Sequence, residues 1–132
     1  MEVQYLCPHC RGAINANDHI ILTARTIEKN AGLVLLHQEM GNYTSTHSAT
    51  LVIEPGEIVD FFCPLCHESL NTRRGEHFAH FIRIDESGKE SKIVISRKYG
   101  EKTTFKIEDG KAVESYGESA RKYMDPEWFI NE

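Results

Sequence analysis

Two copies of one short pattern, Cys7-Pro8-His9-Cys10 and Cys63-Pro64-Leu65-Cys66, constrain this chain more than any other feature, and they hold all four of its cysteines. Two residues between cysteines let one tight turn aim both thiolates at a common point. A second such turn completes a tetrahedron of sulfurs. Apolar, strand-like residues precede each copy: Val3, Tyr5 and Leu6 before the first, Val59, Phe61 and Phe62 before the second. The proline fixes φ and needs no amide partner, so it shapes the turn while other amides point at sulfur. The same turn in the same strand context implies the same job done twice. Cys7, Cys10, Cys63 and Cys66 are therefore the expected ligands of one metal ion. Zinc is expected from ligand type and compartment, and iron is the alternative.

The two pairs resemble the knuckles of the zinc-ribbon and rubredoxin-like families, in which each knuckle ends a β-hairpin arm. The resemblance covers the knuckles and their flanks. In those families a glycine often follows the second cysteine directly. Here Arg11 and His67 stand there, with Gly12 one position later in the first knuckle only. The 52 residues between Cys10 and Cys63 leave room for three or four inserted strands. The resemblance implies a closed structural site. It also brings two alternatives: nucleic-acid binding, as in many zinc ribbons, and electron transfer, as in rubredoxin-like carriers.

Cys-Pro-His-Cys is also the motif of disulfide-forming oxidoreductases with a thioredoxin fold, where the first cysteine begins a helix. The residues after Cys10 run Arg-Gly-Ala-Ile-Asn-Ala-Asn-Asp, and their Gly, two Asn and Asp oppose a helix. A thiol oxidoreductase would also leave the second pair unexplained. Glu2 and Gln4 precede Cys7 with no apolar core of the kind a signal peptide needs. The longest apolar runs, such as Gly32–Leu36, are too short to span a membrane. The expectation is a cytoplasmic protein away from membranes. In that reducing compartment, close cysteine pairs bind metal more often than they form disulfides.

The rest of the pattern is mostly β. Ile20–Ile27, Leu33–Gln38, Tyr43–Ile53 and Ile58–Phe62 read as strands, with Glu54-Pro55-Gly56-Glu57 as a turn. The second half reads as an antiparallel meander. In Glu76–Asp85, alternation puts Phe78, His80, Ile82 and Ile84 on one face. Lys92–Arg97 follows, then Thr103, Phe105 and Ile107 facing a core with Lys102, Thr104 and Lys106 facing water. Asp109-Gly110 is a hairpin turn, and Lys111–Tyr116 is the return strand. The one fair helix is Glu118–Met124, and a tail with Trp128 and Phe129 is expected to fold back on the domain. Beyond the cysteine motif no internal repeat shows. The 132 residues suit a single domain, 1–132, with a composition change near residue 75 dividing lobes 1–75 and 76–132.

No nucleophile motif, phosphate loop or paired catalytic carboxylates can be assembled. His9 and His67 adjoin the knuckles and are expected outside the ligand set. His77 and His80 are expected on opposite faces of a strand, with His80 a hydrogen-bonded core residue. The chain carries a net charge of −5, which argues against a general affinity for phosphate. The basic stretch 73–106, with Arg73, Arg74, Lys89, Lys92, Arg97, Lys98, Lys102 and Lys106, and with Tyr99 and Phe105 as stacking rings, is the one nucleic-acid-like feature. A non-enzymatic zinc-binding interaction or regulatory module, with a protein partner, is the reading these features favour.

Overall fold

A computed structural model describes residues 3–72, 77–109 and 111–117. They form strands β1 (Gln4–Leu6), β2 (Asn15–Ala16), β3 (His19–Arg25), β4 (Ala31–His37), β5 (Ser45–His47), β6 (Asp60–Phe62), β7 (Phe78–Ile84), β8 (Glu90–Ser96), β9 (Thr104–Glu108) and β10 (Lys111–Tyr116), with no helix among the described residues. The helix expected at Glu118–Met124 and the Trp128 tail lie outside them. One antiparallel sheet has the order β2-β3-β4-β5, with β6 also paired to β3. The other has the order β1-β7-β8-β9-β10, so the expected meander is present and the first strand of the chain lies at its edge.

Alternation along β3 explains how the sheets meet. Ile20, Leu22 and Ala24 are buried, while Ile21 and Thr23 between them are only half-buried. The buried set joins Tyr5, Leu51, Phe61, Leu70, Phe81 and Ile93 in one core drawn from both sheets. Tyr5 and Phe81 meet edge to face, with ring centroids 5.7 Å apart.

Two expectations need correction. Of Tyr43–Ile53, only Ser45–His47 is strand. The Ser48 amide still donates to the Leu33 carbonyl at 2.9 Å, but the Leu33 amide goes to Ser48 Oγ at 2.8 Å and the Ala31 carbonyl accepts Thr50 Oγ1 at 3.0 Å, so hydroxyls take the other partners that a continued ladder would supply. The chain then turns and drops Leu51 into the core. The second correction concerns β7 and β9, which were expected to bury one face and wet the other. Ala79 and Phe81 are as buried as Phe78, each 1% exposed, because this sheet carries apolar clusters on both sides. Phe78, Val94, Phe105 and Ile107 form the second cluster. Thr104, expected in water, is buried and shares a 2.9 Å hydrogen bond with the Tyr43 hydroxyl.

The backbone also repeats. The β3–β4 pairing, His19↔His37 through Arg25↔Ala31, recurs in β7–β8 as Phe78↔Ser96 through Ile84↔Glu90, displaced by 59 positions (78 − 19). Val34↔His47 recurs as Ile93↔Lys106 at the same displacement. Residues with positive φ follow the same rule: Asp18, Lys29 and Gly41 return as His77, Gly88 and Gly100. The pairing between the two units is reciprocal. β1, before the first knuckle, pairs with β7 (Leu6↔Ile82), and β6, before the second, pairs with β3 (Phe62↔Thr23). Each unit thus lends its leading strand to the other unit's sheet, an approximate two-fold relation. At that displacement β3–β4 and β7–β8 share no identical residue, which is why the sequence shows no repeat there.

Candidate metal centre

Each knuckle closes a hairpin, through the bridges Leu6↔Ala13 and Phe62↔Ser69. Inside the turns the bonds match one for one. The Arg11 amide donates to the Cys7 carbonyl and the His67 amide to the Cys63 carbonyl, both at 2.9 Å. The Cys7 amide donates to the Gly12 carbonyl and the Cys63 amide to the Glu68 carbonyl, both at 3.0 Å. Arg11 and His67 hold φ at 59° and 67°, the left-handed region that a glycine enters without strain. The missing glycines therefore leave the shape unchanged and cost roughly 1–2 kcal/mol each.

Amides also turn toward sulfur. His9 N lies 3.3 Å from Cys7 Sγ, Gly12 N lies 3.4 Å from Cys10 Sγ, and the amides of Leu65 and Cys66 lie 3.3 and 3.4 Å from Cys63 Sγ. The four sulfurs converge within 4.8 Å of one another. Cys7 and Cys66 Sγ are 3.7 Å apart, and Cys10 and Cys63 Sγ are 3.9 Å apart. All four are free thiols, spaced well beyond a disulfide's bond of about 2.05 Å. Four sulfurs held about 2.3 Å from a central zinc stand about 3.8 Å from each other, so the spacing fits a four-coordinate ion. Cys7 and Cys63 are fully buried, Cys66 is half-buried and Cys10 is exposed.

The thiols do not ionise alike. Burial pushes the Cys7 thiol up to about 12, with the Cys63 and Cys66 thiols adding to the rise and the Cys10 and His9 amides opposing it. Burial also works to raise Cys63, but the Cys66 and Leu65 amides and the adjoining thiols outweigh it and hold Cys63 below its ordinary value. Backbone amides thus favour the thiolate at both Cys7 and Cys63, and burial opposes it at both. Ionising all four at once calls for a cation among them, and that is the chemistry of this donor set.

Two residues missed at the sequence level brace the hairpins. Asn15 Oδ1 accepts the Tyr5 amide at 3.0 Å, and Asn71 Oδ1 accepts the Phe61 amide at 3.2 Å. Asn15 Nδ2 donates to the Val3 carbonyl and to Gln38 Oε1, and Asn71 Nδ2 donates to Asp60 Oδ1. Each asparagine stands five positions after the second cysteine of its knuckle (15 − 10, 71 − 66), a regularity present in the sequence. No family model, curated protein or solved structure matches this chain.

The remaining candidates fall elsewhere. His9 Nε2 meets the Ser69 carbonyl at 2.9 Å and so ties one knuckle to the other, while His67 is exposed. Arg11 pairs with Glu90 at 2.9 Å, fastening the first knuckle to β8. His77 precedes β7 at φ 71°, and His80 is half-buried opposite Val94. Within the basic stretch, Arg73 and Arg74 lie outside the described residues. Lys89 pairs with Glu108 at 2.9 Å, Arg97 with Asp60 at 2.9 Å, and Lys106 approaches Glu108 and Glu114 at 3.6 and 3.7 Å. Phe105, named as a stacking ring, is 3% exposed and inside a core cluster, so it has no face to offer a base. No helix among the described residues is long and apolar enough to cross a membrane.

Proposed function

We propose that this chain is a non-enzymatic interaction or regulatory module whose fold is locked by one structural zinc ion on Cys7, Cys10, Cys63 and Cys66. The observation that carries the reading is the convergence of four sulfurs, from two turns of matching geometry, to within 4.8 Å of one another, with two of the separations, 3.7 and 3.9 Å, near the edge length of a zinc tetrahedron. Four thiolates fill that tetrahedron and leave no open position for a substrate, which supports a structural rather than a catalytic ion. Cys7 follows β1 directly instead of opening a helix, so it lacks the dipole that activates the thiol of thioredoxin-like enzymes. A reducing cytoplasm would keep the thiols available. Three of the cations that nucleic-acid binding would need, Lys89, Arg97 and Lys106, are committed to carboxylates, which weighs against that alternative.

Elemental analysis of protein purified without added metal tests the reading. One zinc per chain is expected, in a colourless protein whose thermal midpoint falls when a chelator strips the ion. A red protein containing iron would point to the electron-carrier alternative. A metal-free protein with an unchanged midpoint after chelator treatment would end the proposal.

A further inference from the structure

Between the two units lies a cavity of 380 Å³. Val34, Leu36, Met40, Ile53 and Ile95 line it, all of them half-buried hydrophobics packed against the main core. Protein interiors close such spaces unless something occupies them, and apolar walls hold water poorly. The volume falls in the range of sites that take one organic molecule, or a ring of comparable size. Tyr43 and Lys102 belong to the same lining. An open groove lined by residues 39–44 and Lys102 adjoins the cavity and shares those seven residues with it.

The end of β10 arrives at this place. The Tyr116 ring lies over Gly41, where an added Cβ would stand 3.3 Å from it. Gly117 follows at φ 95°, so close that a Cβ there would run into the Lys102 carbonyl and stand 2.6 Å from the Tyr43 hydroxyl. Only glycine fits such an approach. Beyond it the sequence continues with residues 118–132, and the chain's sole tryptophan stands there in the run Trp128-Phe129-Ile130. Eleven positions (128 − 117) span up to about 36 Å, so a segment anchored beside the cavity's lining has the length to reach any part of it. Tethering also gives that segment an effective concentration of about millimolar, which few free ligands attain. Each ring left in water would forfeit roughly 150–250 Å² of burial. We propose that residues 128–130 are the cavity's occupant, with the Trp128 indole between the units against Leu36, Met40 and Ile95, so that the chain closes its own cavity. A small apolar molecule then enters only by displacing this tail. The site is independent of the metal centre.

Nuclear Overhauser contacts in the full, metal-loaded chain test this directly, because the indole ring is unique. Cross-peaks are expected from the Trp128 ring to the Leu36, Met40 and Ile95 methyls, and within one chain when labelled and unlabelled protein are mixed. The indole emission should lie at the short wavelength of a buried ring and resist quenching by acrylamide. Met40→Lys, which sets a charge in the wall, should move that emission to the value of an exposed indole. N-phenylnaphthylamine, an uncharged apolar probe, should bind Trp128→Ala at least about tenfold more tightly than the intact chain, because the tail no longer competes. Thermal midpoint and metal content of each variant show that the fold and the ion are kept, so a failure of the metal assignment is not mistaken for a failure here. An exposed indole, an emission that Met40→Lys leaves unmoved, or cross-peaks from Trp128 only to other surfaces overturns the proposal. Cross-peaks that arise only between different chains place a second copy's tail in the cavity and overturn it as well. Equal probe affinity for Trp128→Ala and the intact chain overturns the tail as occupant.

Discussion

Asn71→Ala should loosen the second knuckle by an amount that the structure allows to be worked out. Phe61 is 6% exposed, and its amide donates to Asn71 Oδ1 at 3.2 Å. Truncation leaves that amide buried with no acceptor, which costs about 1–3 kcal/mol. The bond from Asn71 Nδ2 to Asp60 is lost as well. Asp60 keeps Arg97 and its side chain is 42% exposed, so water replaces most of that bond and it adds only about 0.5 kcal/mol. The sum is about 1.5–3.5 kcal/mol. For a chain of this length that is a fall of about 6–14 °C in thermal midpoint. Asn15→Ala should match it within about 1 kcal/mol, since Tyr5 is 1% exposed and its amide bond is 3.0 Å. Asn15→Asp keeps the acceptor and should recover part of the loss. Denaturant unfolding of the metal-loaded protein measures the stability, and chelator competition measures the ion, which each alanine variant should hold about tenfold more weakly. If both alanine variants change stability by less than about 0.5 kcal/mol, the asparagines do not brace the hairpins and the reasoning fails.

Cys63→Ser should lose the ion and lower the thermal midpoint, because one ion ties residue 7 to residue 66 across a long loop; a variant that keeps both metal and midpoint refutes the four-cysteine set. Phe105→Ala should cost about 3–5 kcal/mol, and Lys106→Ala under about 1 kcal/mol, in urea unfolding. A one-residue slip of β9 would exchange the two results. The Lys89 ammonium beside Glu108 holds that carboxyl below its usual range, with Lys106 assisting and burial opposing. Because the folded value is depressed, the stability it confers is present above the ordinary carboxylate range and lost as pH falls from there through the folded value. Carboxyl resonances followed by NMR should show Glu108 titrating higher in Lys89→Ala, and no movement would exclude the pair as the cause.

The sequence disclosed the cysteine cluster because metal chemistry demands particular side chains at a particular spacing. It disclosed the meander because period-two alternation follows from the pleat. Alternation failed at Ala79, Phe81 and Thr104, since it cannot distinguish a sheet with one buried face from a sheet with two. It failed at Tyr43–Ile53 because Ser48 and Thr50 take over backbone bonds with their hydroxyls, a local choice that hydrophobicity does not encode. The repeated unit stayed hidden for a different reason. Hydrogen-bond register and positive φ fix the backbone, and Lys29 and Gly88 satisfy the same turn with unrelated side chains.

The exchange of leading strands carries a consequence for how such a chain can be divided. A unit taken alone has two thiols, half of a coordination sphere, and a strand whose partner belongs to someone else. It is complete only in pairs. Two identical copies could satisfy each other by the same reciprocal pairing, each chain contributing two sulfurs to an ion on the symmetry axis. The present chain has the connectivity of such a dimer with its two subunits joined end to end through residues 48–58. Cutting that connection would leave two fragments that hold together through interlaced strands and one shared ion, without a peptide bond between them.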